Sequence, residues 1–340
     1  MRENLSFDDV LIVPQYSDIQ SRTEIDISNE LSSDIKLNLP VISSPMDSVT
    51  ETAMAKAMCQ NGGIGIIHRY NTIEEQVKIV KKCGNHNVGA AIGVSGNYLE
   101  RACALIDAGV SVLCVDVAHG HHVLMRDALQ VLRATLGTSI HIMAGNVATL
   151  QAFNDLADWG ADSIRVGIGG GSICSTRIQT GHGMPTLQSV IECAKSDRDA
   201  KIIADGGIKN SGDIVKAYAA GADFVMLGSM ISGTTETPGG IVYKDVPGGD
   251  PEKHKVYRGM ASNEAQKDWR GKSSSVEGVA TTVRYKGHVK KILNQIDKGV
   301  RSGFSYSGSR SFVEFQTKCK LIRQTASSQI ESSTHITRTR

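Results

Sequence analysis

The residues best placed to do chemistry lie in Val166-Gly167-Ile168-Gly169-Gly170-Gly171-Ser172-Ile173-Cys174-Ser175-Thr176-Arg177. A β-type run over 163–166 leads into a glycine-dense turn that ends on one cysteine flanked by hydroxyls. Consecutive glycines let the backbone approach an ion closely, because no Cβ stands in the way. A cysteine on such a turn, among backbone N–H donors, can have its pKa lowered and act as a nucleophile. Cys174 is therefore the leading catalytic candidate. The competing reading is a small buried core residue, which most free cysteines are. Two more turns, Ala204-Asp205-Gly206-Gly207 and Leu227-Gly228-Ser229, each close a β-type run. Paired glycine turns of this kind offer backbone amides to a phosphate, although tight turning alone also calls for glycine.

Such residues need a frame that brings them together. Short β-rich runs fall at 41–44, 65–68, 88–93, 112–117, 141–146, 163–167, 201–205 and 224–228. Amphipathic segments such as 51–60, 73–82, 98–107, 150–159 and 212–219 lie between them. This spacing is that of a repeated βα unit. Most runs end in polar or glycine residues, among them Met46-Asp47, His68-Arg69, Asp116 and Gly145-Asn146. In a parallel barrel those ends share one face, where active sites sit. The series predicts an α/β protein with a single-domain (β/α)8 TIM barrel over 1–325, rather than a doubly wound sheet. The pattern changes beyond the eighth run. Residues 235–250 read as a loop with one hairpin, 263–275 as a polar mobile lid within a lid or flap segment over about 235–285. A helix is expected over 289–300, and a disordered Ser/Thr-rich tail over 326–340.

Composition excludes several classes. A formal charge of +2 with 21% charged residues argues against a dedicated nucleic-acid binder and against a disordered chain. The seven cysteines contain no CxxC pair, so neither a zinc cluster nor a disulfide framework is indicated. The first residues lack an apolar signal core, and no apolar run reaches spanning length. A soluble cytoplasmic protein with no membrane partner is the expectation.

The ordered motifs Phe7-Asp8-Asp9-Val10-Leu11, Ser44-Pro45-Met46-Asp47, Gly62-Gly63-Ile64-Gly65, Gly145-Asn146-Val147, Asp205-Gly206-Gly207 and Tyr257-Arg258-Gly259-Met260, with the cysteine turn, carry a resemblance. From about residue 4 to about residue 325 the chain resembles the family of IMP dehydrogenases and GMP reductases. That resemblance implies a (β/α)8 barrel assembled as a homotetramer. It implies that Cys174 attacks C2 of a purine nucleotide, GMP or IMP. Met46, Ser172, Asp205, Gly207, Gly228, Ser229, Tyr257, Gly259 and Met260 would hold that nucleotide. Asp116 and Asn146 match positions near the nicotinamide, and the carbonyls of Gly169, Gly171 and Cys174 resemble a monovalent-cation site for K+. Arg69 corresponds to a basic position near the cofactor, where a guanidinium suits the 2′-phosphate of NADPH.

Two features separate the family's chemistries. Residues 82–87 connect the second and third β-runs directly, whereas dehydrogenases usually carry a regulatory domain pair there. Residues 261–276 are few for a swinging flap and hold no Arg-Tyr pair, only Trp269-Arg270. Deamination also needs a hydroxyl–carboxylate relay to protonate departing ammonia, and Thr176 and Glu277 match the reductase residues in that role. The reading is an NADPH-dependent GMP reductase. The alternatives are an IMP dehydrogenase using NAD without the regulatory pair, which the Ser44-Pro45-Met46-Asp47 and Gly63-Ile64-Gly65 stretches favour, and an inactive nucleotide-binding regulator.

Overall fold

The computed structural model describes residues 3–332. Eight parallel strands close into a barrel in chain order. They are β1 (Val41–Ser43), β2 (Ile64–Ile67), β3 (Val88–Ile92), β4 (Val112–Asp116), β5 (His141–Val147), β6 (Ser163–Val166), β7 (Lys201–Asp205) and β8 (Phe224–Leu227). Closure is the β8–β1 pairing, with Val225 opposite Val41 and Leu227 opposite Ser43. The expected β-runs correspond to these strands one for one. They were readable because parallel barrel strands are buried on both faces and so form continuous apolar runs. β2, β3, β6 and β8 are buried along their whole length.

Period-two alternation divides each strand between two cores. Ile42, Ile66, Cys114, Met143, Ile203, Phe224 and Met226 fill the barrel interior. Leu31, Ile35 and Leu37 join this cluster from an N-terminal hairpin (Asn29–Ser32 with Ile35–Leu37). The opposite faces pack against helices that include Thr52–Gln60, Ile73–Lys81, Tyr98–Asp107, Leu150–Asp158 and Ser211–Ala219, each within a residue or so of its expected span.

The segment after β8 carries regular elements. Val242–Lys244, Glu252–Arg258 and Ala280–Arg284 form a three-stranded antiparallel sheet. The hairpin expected within 235–250 is not closed there: only Val242–Lys244 lies in that stretch, and its partner Glu252–Arg258 and the third strand fall beyond it. Asn263–Arg270 is a helix, capped by the Ser262 hydroxyl and ended by Gly271 in the left-handed conformation. The buried Gln266 side chain donates to the carbonyls of Ala261 and Ser275 and accepts from the N–H of Ser274, so this stretch is tied down. The last barrel helix, Val289–Tyr306, runs six residues beyond the expected end. Val10–Ile12 pairs with Leu321–Arg323, fastening the two ends of the chain together. Residues 326–331 of the expected disordered tail form a short helix, Ala326–Glu331, capped by Thr325; residues 333–340 lie outside the described residues. Among the described residues no helix is long and apolar enough to cross a membrane.

Candidate active site

The cysteine turn owes its course to glycine. Gly167 has φ +148°, and a Cβ there would lie 1.9 Å from the Asp205 carbonyl oxygen. A Cβ on Gly206 would meet the Gly171 nitrogen at 3.0 Å. The turns after β6 and β7 therefore lie backbone against backbone, which only residues without a side chain permit. Cys174 sits at the far end of the turn, its N–H donating to the Gly171 carbonyl at 3.1 Å.

A second segment zips onto this one. The Val279 N–H donates to the Ile173 carbonyl (3.0 Å) and the Ser175 N–H to the Glu277 carbonyl (2.9 Å). The pairing places the Glu277 side chain over Thr176. The Cys174 thiol donates to Thr176 Oγ1 at 3.2 Å, and Thr176 Oγ1 donates to Glu277 Oε2 at 2.8 Å. Thiol, hydroxyl and carboxylate thus form one line along which a proton can pass. Activation by backbone donors, expected from the sequence, gives way to this line. The N–H groups of Cys174 and Ser175 are both taken by carbonyls.

Beneath the turn, three strand ends meet at Arg165. This arginine, 6% exposed inside β6, reaches Asp116 Oδ1 at the end of β4 and Asp205 Oδ2 at the end of β7, the latter at 2.9 Å. Burial disfavours its charge, but Asp205 and Asp116 outweigh that and hold its pKa well above the ordinary value. Asn146 Nδ2 donates to the same Asp205 oxygen at 2.8 Å and to the Gly167 carbonyl at 3.0 Å. Both bonds to Asp205 use Oδ2, leaving Oδ1 to accept from a ligand hydroxyl. Sequence reasoning missed Arg165. Its signal was a lone charge within the apolar run Ser163–Val166.

The other flank is hydroxyl-rich. Ser172 Oγ and the buried Tyr257 hydroxyl lie 3.4 Å apart, and burial pushes the tyrosine pKa up. A Cβ on Gly228 would stand 3.1 Å from both Ser44 Oγ and Tyr257 Oη, so glycine keeps this corner open. Ser44 Oγ is buried without a hydrogen-bond partner. Arg258 clamps Asp47 through Nε and Nη2 and reaches Asp268 through Nη1, joining the end of β1 to the helix over 263–270. On the opposite flank the Arg69 guanidinium lies 3.7 Å from Asp116 Oδ2 and 5.0 Å over the Tyr70 ring. Tyr70 in turn meets Trp269 edge-on, with centroids 6.3 Å apart.

The cysteine turn, the Arg165 cluster, the hydroxyl-rich corner and the Arg69–Tyr70 pair open onto one cavity of about 280 Å³ at the C-terminal face of the barrel, while Asp47, Arg258, Asp268 and Trp269 lie outside its lining. Every residue singled out from the sequence lines it: Cys174, Thr176 and Glu277; Met46, Ser172, Asp205, Gly207, Gly228, Ser229, Tyr257, Gly259 and Met260; Arg69, Asp116 and Asn146; and Gly169 and Gly171. Ser44, Tyr70 and Arg165 line it as well. The turn at Gly169, Gly171 and Cys174 offers uncharged carbonyl oxygens, a donor set suited to a large monovalent cation. Among the described residues no group of three or more His, Cys, Asp or Glu is placed to hold a metal ion.

Comparison with known proteins gives this geometry a lineage. Residues 4–335 match the IMP dehydrogenase / GMP reductase domain. An inosine-5′-monophosphate dehydrogenase of Nitrosopumilus maritimus is 33% identical, with 98% of each chain covered. A GMP reductase of Leishmania major is 32% identical, covering 98% of this chain and 97% of the relative. The crystal structure of a Cys-to-Ala variant of GMP reductase from Trypanosoma brucei, in complex with guanosine 5′-monophosphate, superposes with a TM-score of 0.93 at 30% identity, covering 98% of both chains. The chain belongs to the IMP dehydrogenase / GMP reductase family, and so to the purine nucleotide oxidoreductases that use a nicotinamide cofactor. The two alignments run over 476 and 481 positions, well beyond the 340 residues of this chain. The reductase and the dehydrogenase alike therefore carry residues with no counterpart here. The shorter length of this chain thus does not by itself distinguish the two activities, and the choice falls to the site itself.

Proposed function

We propose that this member of the family is a GMP reductase, converting GMP and NADPH to IMP, ammonia and NADP+. The line from Cys174 through Thr176 to Glu277, at 3.2 and 2.8 Å, carries the reading. Cys174 sulfur bonds to C2 of GMP, and its proton passes through the Thr176 hydroxyl to Glu277. Glu277 returns a proton through Thr176 to the C2 amine, which departs as ammonia and leaves C2 bonded to sulfur. When bound, the dinucleotide would supply a hydride to C2; Cys174 sulfur then leaves C2 as a thiolate, takes a proton from solvent, and IMP departs. Asp205 Oδ1 accepts from the ribose hydroxyls. Gly207, Gly228, Ser229, Ser172 and Tyr257 surround the phosphate, while Met46, Gly259 and Met260 flank the base. Arg69, Asp116 and Asn146 face the dinucleotide, and the carbonyls of Gly169, Gly171 and Cys174 would hold K+. Assembly as a homotetramer, carried by the resemblance alone, is checked by sedimentation.

The tied-down helix over 263–270 supports the same choice. A dehydrogenase must admit water once its dinucleotide has left, whereas a reductase needs no hydrolytic flap. The second reading, an IMP dehydrogenase, draws on the Ser44-Pro45-Met46-Asp47 stretch at the end of β1. The test mixes purified protein with GMP and NADPH, and separately with IMP and NAD, following nicotinamide absorbance and ammonia. Loss of NADPH with stoichiometric ammonia supports the reductase. NADH formation with IMP and NAD overturns it in favour of the dehydrogenase.

A further inference from the structure

Behind the dinucleotide flank lies a second arginine to which the proposed reaction gives no part. The turn over 68–71, which carries Arg69 and Tyr70 into the cavity, is fastened at both ends. At the near end His68, 3% exposed, accepts the Tyr70 N–H on Nδ1 at 3.2 Å, and its Nε2 lies 3.1 Å from Glu51 Oε1. The fully buried Gln76 donates to the carbonyls of His68 and Ala91, at 3.0 and 2.8 Å, stapling the ends of β2 and β3 together. At the far end stands Arg101, from the first turn of the helix Tyr98–Asp107. It donates to Gln76 Oε1 at 2.6 Å and to the Asn71 carbonyl at 2.9 Å.

Charge around this turn is unbalanced. Arg101 has a lowered pKa, first through burial and then through the nearby charge of Arg69, which outweighs the attraction of Glu74. Among the described residues Arg69 has only Asp116, at 3.7 Å, as a counter-charge, and shares it with the more closely placed Arg165. Both Arg69 Nε and Asn71 Nδ2 are buried without a hydrogen-bond partner. Buried donors normally find acceptors, so this corner holds more N–H groups than the protein satisfies. Of the two, Arg69 lines the cavity, where an anionic oxygen from a ligand would give its guanidinium an acceptor.

We propose that Arg101 is a positioning residue for the dinucleotide: it locks the 68–71 turn and, by like charge, keeps the Arg69 guanidinium forward to meet a phosphate oxygen. The proposal rests on the assignment of Arg69 to the dinucleotide flank. Its source of phosphate, the 2′-phosphate or the diphosphate bridge, is left to the experiment.

The variants R101Q and R101K are titrated with NADPH, NADH and NAD by fluorescence, and with GMP and IMP by calorimetry, beside the wild type. R101Q is expected to weaken the dinucleotide that the wild type binds by about tenfold, the scale of a lost charge-assisted hydrogen bond. Nucleotide affinity stays within about twofold. R101K, which keeps the charge, recovers dinucleotide binding to within about threefold. Weakening of NADPH alone supports contact with the 2′-phosphate; equal weakening of NADPH and NADH supports contact with the diphosphate. Unchanged dinucleotide binding in R101Q, no recovery in R101K, or an equal loss of nucleotide binding overturns the proposal. Failure of the reductase reading shows separately, as a wild type that binds IMP and NAD in preference to GMP and NADPH.

Discussion

Replacing Glu277 by glutamine tests the relay with almost no change of shape. The carboxylate accepts the Thr176 hydroxyl on one oxygen at 2.8 Å and the Ser275 hydroxyl on the other at 3.3 Å. An amide keeps one acceptor but cannot take the proton that must reach the departing amine. Positioned acid–base catalysis contributes about 10²–10⁴-fold. Deamination in E277Q should therefore fall by about 10²–10³-fold, equivalent to about 3–4 kcal/mol of barrier. Hydride transfer needs no protonated leaving group. With IMP and NADP+ in the absence of ammonia, the enzyme should release one burst of NADPH and stop with the nucleotide bonded to Cys174. In E277Q that burst keeps its amplitude and slows by less than turnover does, because it requires the thiol proton to be removed once and never requires the amine to be protonated. Stopped-flow absorbance reads the burst, and coupled ammonia detection reads the turnover. A burst that slows in the same proportion as turnover, or turnover at the wild-type rate, would refute the relay.

The other predictions concern stability. Arg165→Met should destabilise the fold by on the order of 3 kcal/mol, since Asp116 and Asp205 lose their buried counter-charge; urea denaturation measures it, and an unchanged midpoint contradicts the charge cluster. Gly167→Ala should cost about 1–3 kcal/mol or more and disorder the cysteine turn, because the new Cβ would lie 1.9 Å from the Asp205 carbonyl. Melting temperature and thiol-labelling rate both report it. His141 has its pKa lowered to about 4 by burial, with the Asp162 carboxylate opposing and Arg133 assisting. Its folded pKa lies below the unfolded value of about 6.5. The unfolded chain therefore binds the proton first, and stability present above pH 6.5 is lost as pH falls toward 4. The shift is equivalent to about 3 kcal/mol. The urea midpoint of His141→Gln should fall less over that window than the wild type's, and parallel curves would exclude His141 as the source.

Much of the frame was legible because its signal is local. A strand such as Val88–Ile92 is apolar throughout, being covered on one side by the barrel interior and on the other by helices. The site was legible for a related reason, since polar residues at the ends of successive strands must converge once the sheet closes. What escaped depends on partners distant in the chain. Nothing near Arg165 in sequence shows that Asp116 and Asp205 await it from two other strands. The strand Ala280–Arg284 pairs with residues more than twenty positions earlier, and its sequence alternates too weakly to announce an edge. The helix over 263–270 reads as part of a polar mobile lid because its hold comes from Gln266, Arg258 and the Tyr70–Trp269 contact rather than from an apolar stripe.

On the proposed reading, that helix would let one scaffold favour one outcome for a nucleotide bonded at C2. Water and hydride compete for the same carbon, and the protein chooses by what it admits after the first half of the reaction. To open the dinucleotide flank, the helix would have to leave Tyr70, break the Arg258–Asp268 ion pair and strip the Gln266 side chain of its carbonyl partners. The ion pair is exposed on the Asp268 side and worth little alone. The Gln266 bonds are part-buried, and exchanging them for bonds to water on opening costs about 0.5–1.5 kcal/mol each. Taken together these ties favour keeping the flank closed through both half-reactions. A closed flank leaves hydride as the reagent at hand, which is the condition a reductase requires and a dehydrogenase must escape.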